Sequence, residues 1–203
     1  MGEEMGLRER KKMRMYQEVS AVAVRLFMEK GFDAVSVAEV AAAAGISKPT
    51  LFRYFPAKED LVLQQIADHE GEAARVVTGQ VRPVDALRRH FLDGLDRCDP
   101  ITGLNDDPGV LAFHSLLYGT PALVARLYGY LERSEDALAE ALGGGLDARL
   151  AAAQIIAVQR ILAQENWRRV VAGEGVERIR EDAVAAAERA FGRLETLIEI
   201  ETR

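Results

Sequence analysis

Apolar residues recur along this chain at intervals of three and four, the spacing of one face of an α-helix. Tyr16, Val19, Ala23, Leu26 and Phe27 follow it inside a helix predicted from about Leu7 to Lys30 and closed by Gly31. Two short helices are predicted at about 37–44 and 48–54, and a longer one from near Lys58 to about Val77. After Pro83 the rhythm continues through Val84, Leu87, Phe91, Leu95 and Cys98. The run DPITGLNDDP, from Asp99 to Pro108, is loop chemistry. Pro108 and Pro121 suit first helical turns, where the amide that proline lacks has no partner in any case. Gly143 to Gly145 stop the helix that Pro121 starts. Asp147 is placed to cap the next helix, which reaches about Ala172, and after Gly173 and Gly175 a last helix spans about Val176 to Ile200. Sustained period-two alternation and Asn-Gly hairpin turns, the marks of strands, are missing. The pattern predicts an all-α fold of about nine helices.

The segment SVAEVAAAAGISKPTLFRYFPAKE, residues 36–59, carries the densest local signals. Ser36 and Glu39 form an S-x-x-E capping box for the first short helix. Gly45 stands where that helix must end in a left-handed residue, which glycine adopts without steric cost. Ile46 is expected to plug the turn. Ser47 is placed to cap the second short helix, with Pro49 in its first turn. Leu51 and Phe55 then face inward and leave Lys48, Thr50, Arg53 and Tyr54 outside. Two short helices about a glycine turn describe a helix-turn-helix, whose second helix enters a DNA major groove. An ordinary helical hairpin with a solvated face has the same spacing.

Charge separates the two readings in part. The formal net charge is −6, but residues 1–58 carry a net +3 and residues 59–203 a net −9. All five lysines, Lys11, Lys12, Lys30, Lys48 and Lys58, lie in the first segment. A polyanion is attracted to one end of such a molecule and repelled by the other. Arg8, Arg10, Lys11, Lys12 and Arg14 oppose the helix dipole, so they do not serve helix stability. They form either an arm along DNA phosphates or a solvated tail. The lone Cys98 excludes an internal disulfide. No apolar run approaches the roughly 20 residues that span a bilayer, and no signal-peptide pattern follows the N-terminal charges, so the cytoplasm is the expected compartment.

Gly45 through Leu61, with Lys58-Glu59-Asp60-Leu61 directly after Tyr54-Phe55, resembles the tetracycline-repressor (TetR) family of bacterial regulators. Phe27, Gly31-Phe32 and Val35-Ser36-Val37 resemble that family's first helix and its junction. The resemblance covers about residues 12–73. It implies a DNA-binding domain at 1–58, with the helix-turn-helix at about 35–54, and a helical effector-binding and dimerisation domain at 59–203. By position it implies that Ser36 bonds a phosphate, that Lys48, Pro49 and Thr50 meet bases and backbone in the major groove, that Tyr54 touches a phosphate or base, and that Lys58 clamps a phosphate. Phe52 departs from the family's usual tyrosine and lacks the hydroxyl for a phosphate bond; Arg53 beside it can compensate. Lys48 and Arg53 are also of the types that pair with guanine.

The resemblance further implies a palindromic operator bound by a dimer and release by a small, mainly apolar effector; the expected protein is a nucleoid-associated, ligand-released repressor, with activation left open by the sequence. His90, His114, Tyr118, Gln159 and Asn166 fall on or beside apolar helix faces and are the candidate polar groups of an effector pocket. Ile179, Ala183, Ala186, Ala190, Leu194 and Leu197 form a small-residue stripe suited to a four-helix dimer interface through the last two helices, or to the chain's own core. The three histidines lack the spacing of a helical metal site, and no nucleophile-base set or phosphate-binding glycine loop is visible, so no metal, cofactor or catalytic residue is expected. The rival reading is a small all-α enzyme or ligand carrier with an incidental helical hairpin.

Overall fold

The computed structural model describes residues 7–67 and 69–201, with the side chains at 7–11, 65 and 197–201 left undescribed. The readings made of Arg8, Arg10, Lys11 and Leu197 therefore lie outside the described side chains. Among the described residues there are ten α-helices and one short 3-10 turn: α1 (Leu7–Lys30), α2 (Val37–Ala43), α3 (Lys48–Tyr54), α4 (Asp60–Ala67), α5 (Glu72–Val77), α6 (Pro83–Asp96), the 3-10 turn (Pro100–Thr102), α7 (Pro108–Gly119), α8 (Pro121–Ala141), α9 (Gly145–Val171) and α10 (Val176–Glu201). No single described helix is long and apolar enough to cross a membrane.

The all-α expectation holds, and one predicted helix divides. The segment expected to run from Lys58 to Val77 breaks at a turn that ends in Gly71, after which α5 starts afresh. Glycine inside a helix costs about 1 kcal/mol relative to alanine, and here the Glu72 amide turns back to the His69 carbonyl at 3.0 Å. Gly144 rather than Asp147 occupies the cap of α9, and Asp147 lies in the first turn, where its charge suits the dipole.

The chain divides into two compact units, Met1–Asp68 with Ala112–Tyr128, and His69–Leu111 with Gly129–Arg203. In the first, α1 packs on α2 and α4, and α2 on α3. Its buried side chains include Val19, Ala23, Phe27, Val40, Leu51, Phe55, Leu61, Leu117 and Leu123. The buried Ser20 hydroxyl donates to the Leu61 carbonyl at 2.7 Å, which ties α1 to α4.

In the second unit α10 lies along α9 and α6, and α5 packs on α6. Leu87, Phe91, Leu95, Ala152, Ile155, Ile179, Ala183, Ala187, Phe191 and Leu194 share one core. Three residues of the stripe expected at a dimer surface, Ile179, Ala183 and Leu194, are thus buried against the chain's own helices. Ala186 and Ala190 remain half-buried. Helical spacing defines a face but not its partner, and α6 with α9 occupies this one. The 3-10 turn is pinned to α9 by Gly103, whose φ is +71° and where a Cβ would stand 1.9 Å from the Ala163 carbonyl oxygen.

Candidate nucleic-acid interface

The turn between α2 and α3 is built by its own sequence. The Ser36 hydroxyl accepts the Glu39 amide at 3.1 Å and starts α2. The Glu39 carboxylate bonds Lys30, which with the Ser36 amide holds that carboxyl below its ordinary range. Gly45 takes φ +68°, and the Ile46 amide reaches the Ala41 carbonyl at 3.0 Å. Ile46 is half-buried, not the fully buried plug that the sequence suggested. Ser47 accepts the Thr50 amide at 3.2 Å and caps α3, and its hydroxyl also meets that of Thr50 at 2.8 Å.

Leu51 and Phe55, one turn apart, are buried as expected and fix which side of α3 faces out. Two exposed rows remain, Lys48 with Phe52 and Pro49 with Arg53. Thr50 and Tyr54 form a third, half-buried row. The Arg53 guanidinium stacks 5.0 Å from the Tyr54 ring centre and donates to its hydroxyl at 3.3 Å. A phenol oxygen that accepts in this way keeps its own proton for another acceptor. Tyr54 is propped from behind by Tyr16 of α1, edge to face at 5.4 Å, and Tyr16 meets Phe55 at 5.2 Å in the same manner. Lys12 stands 5.7 Å from the Tyr16 ring, so part of the basic end of α1 lies close behind α3.

Lys58 is half-buried just before α4. Its ammonium donates to the Phe32 carbonyl and lies 4.3 Å from the Phe32 ring centre and 5.4 Å from that of Phe27. An ammonium has three donors, so the Phe32 carbonyl takes one of them. Beside Lys58, the Asp60 carboxylate accepts the Ala57 amide at 3.0 Å and binds Arg126 of α8. Sequence reasoning missed the Asp60–Arg126 pair and the Tyr16 support, because nothing local marks side chains so far apart in the chain.

The five effector candidates fall in both units. His114 and Tyr118 sit one turn apart on the apolar α7, ring centres 6.1 Å apart, and burial pushes the His114 imidazole below its ordinary pKa. In the other unit His90 meets Glu72 at 3.0 Å. Asn166 is buried and donates to the Thr102 carbonyl at 2.9 Å, and so holds the 3-10 turn on α9. Gln159 is half-buried on α9.

A capped two-helix turn with a basic, aromatic outer face defines the head of a helix-turn-helix regulator. Residues 20–64 match the family model of bacterial regulatory proteins, tetR family. That match covers the head alone, 45 of the 203 residues. TcmR of Streptomyces glaucescens, a transcriptional regulator of the helix-turn-helix type, is 30% identical over 136 residues, 64% of this chain. The chain spans 58% of the length of TcmR. Among solved structures, a TetR-family regulator from Streptomyces coelicolor A3 shares the fold with a TM-score of 0.57 at 20% identity, covering 95% of this chain and 99% of that one. SmeT in its triclosan complex does so with a TM-score of 0.59 at 16% identity, covering 89% and 91%.

Proposed function

We propose that the protein is a cytoplasmic, sequence-specific DNA-binding regulator of the bacterial nucleoid, a repressor that binds a palindromic operator as a dimer and leaves it when a small, mainly apolar effector binds. The observation that carries this is the outward face of α3: Lys48, Pro49 and Arg53 exposed, Thr50 and Tyr54 oriented by Ser47 and Tyr16, on a helix capped and turned by its own sequence. Residues 1–58 supply the DNA-binding function and residues 59–203 the effector and dimer functions. Ser36 and Tyr54 are the phosphate donors, Lys48, Pro49, Thr50 and Arg53 the groove-facing set, and Lys58 a phosphate ligand with the donors that Phe32 leaves over.

A dimer through α9 and α10 is supported by an exposed apolar stripe. Leu146, Leu150, Ile161 and Val171 are all exposed on α9 and lie within roughly 80° of arc at 3.6 residues per turn. Exposed apolar side chains gathered on one helix face suit an interface, and a second copy meets them symmetrically in a four-helix arrangement. His114 and Tyr118 on α7 are the effector contacts that geometry favours. SmeT, similar in fold, was captured with triclosan. The effector acts only through different affinities for two conformations, and coupling of about 1–3 kcal/mol is typical.

Selection of duplexes from a random library by the full-length protein, followed by titration at two salt concentrations, tests the reading. It requires an enriched, approximately palindromic sequence whose advantage over random duplex persists at the higher salt. Failure to enrich any sequence sinks it and favours a helical carrier or enzyme. Thr50→Ala and Tyr54→Ala should each weaken the selected site by roughly ten-fold, about 1.4 kcal/mol, with little change for random duplex.

A further inference from the structure

The outer face of α3 carries one large side chain that can make no hydrogen bond. Phe52 is 41% exposed, while Leu51 and Phe55 on the other side of the same helix are buried. It shares an exposed row with Lys48, one turn earlier, whose ammonium stands 5.8 Å from the Phe52 ring centre. The core therefore does not hold this phenyl ring, and the helix presents it outward among groups suited to DNA.

We propose that Phe52 is a specificity-determining residue that reads a thymine through its 5-methyl group, an inference that rests on the DNA-binding reading above. Major-groove base edges offer donors, acceptors and one apolar group, the thymine methyl. A phenyl ring gains nothing from the donors and acceptors in its plane, so the methyl is the base feature it can bury against. A hydroxyl at this position would offer a second choice, a phosphate oxygen; phenylalanine removes it. The cation at the ring face adds a second element. Attraction to the ring quadrupole keeps the Lys48 ammonium on the same row, within the reach of a lysine that pairs with guanine O6 and N7. The pair thus favours a thymine close to a guanine.

Replacing thymine by deoxyuridine removes the methyl and leaves every hydrogen-bonding atom in place. Each thymine of the tightest selected duplex is replaced in turn, and binding of the wild-type protein and of Phe52→Ala is measured on each. The wild type should lose roughly three- to ten-fold in affinity at one thymine position of the motif, in line with loss of one buried methyl. Phe52→Ala should bind the unsubstituted duplex more weakly by a similar factor and be indifferent to uracil there. Thermal melting of Phe52→Ala close to that of the wild type checks that an exposed position was changed without unfolding. Uracil felt equally by both proteins, or by neither, overturns the inference while leaving DNA binding intact. Selection that enriches no sequence overturns the DNA-binding reading itself, and this inference with it.

Discussion

Asp60 and Arg126 form a two-point ion pair across 66 residues of sequence: Arg126 Nε donates to Oδ1 at 2.8 Å and Nη2 to Oδ2 at 3.1 Å. The Asp60 side chain is 7% exposed and that of Arg126 42%. The same carboxylate holds the Ala57 amide at the entrance to α4, directly after α3. One buried acid thus fixes both the start of α4 and its attachment to α8. Removing the arginine leaves a carboxylate that has lost water and one partner, which is costlier than losing an exposed pair. Arg126→Ala should lower stability by about 1–3 kcal/mol, and a double-mutant cycle with Asp60→Ala should give a coupling of about 1–2 kcal/mol by urea unfolding. Additive single effects would show that the pair contributes nothing jointly.

Tyr16 should matter to DNA binding although it lies on α1. Its two edge-to-face contacts hold Tyr54 and Phe55, and such pairs contribute about 0.5–1.5 kcal/mol each beyond burial. Tyr16→Ala is expected to reduce affinity for the selected site several-fold while the fold persists, and Tyr16→Leu to restore less than Tyr16→Phe. Equal affinity of the alanine and phenylalanine variants would remove Tyr16 from the role of support.

Lys58 has two separable consequences. Contacts with the Phe27 and Phe32 rings are of the kind that stabilise by about 0.5–2 kcal/mol, so Lys58→Ala should lower the melting temperature. Phosphate contact by the remaining donors should, on loss of the side chain, flatten the logarithmic salt dependence of binding by about one unit. A lower melting temperature with an unchanged salt slope would make Lys58 a strut between α1 and α4 and nothing more.

The exposed stripe of α9 predicts the oligomeric state. Ile161→Glu and Leu150→Glu place a charge where a second copy is expected to pack. Light scattering should show a shift from dimer to monomer, and circular dichroism an unchanged helix content. Dimers that persist in both variants would place the interface elsewhere.

Burial holds His114 below its ordinary value of 6.5. The folded chain therefore prefers the neutral imidazole. As pH falls through about 6.5 the unfolded chain takes up a proton that the folded chain resists, so stability present above that pH declines toward acid. The melting temperature should fall between about pH 7.5 and 5.5, and His114→Phe should reduce that fall. An identical pH profile in the variant would mean that His114 titrates freely.

Much of the fold and of the candidate interface's local geometry was legible in the residues themselves. Ser36, Gly45, Ser47 and Pro49 act within three or four residues of their own position, and caps and turns are local chemistry. The same holds for Pro83, Pro108 and Pro121, each of which begins the helix expected of it. Leu51 and Phe55 settled which side of α3 faces out because spacing alone separates the faces of a helix.

What only the tertiary structure decided is who meets whom. The stripe of α10 reads equally well as a dimer surface or a core, and packing on α6 and α9 chose the core for Ile179, Ala183 and Leu194. The contacts of Lys58 with the Phe27 and Phe32 rings also join segments that no local pattern pairs. Asn166 donates to the Thr102 carbonyl 64 residues away, a contact that no local pattern records. By itself the sequence determined an all-helical chain with a basic, capped and glycine-turned head, since periodicity and capping are set within a few residues. The partner of each face, including the grip of Arg126 on Asp60, depends on segments far apart in the chain, and no local pattern records that choice.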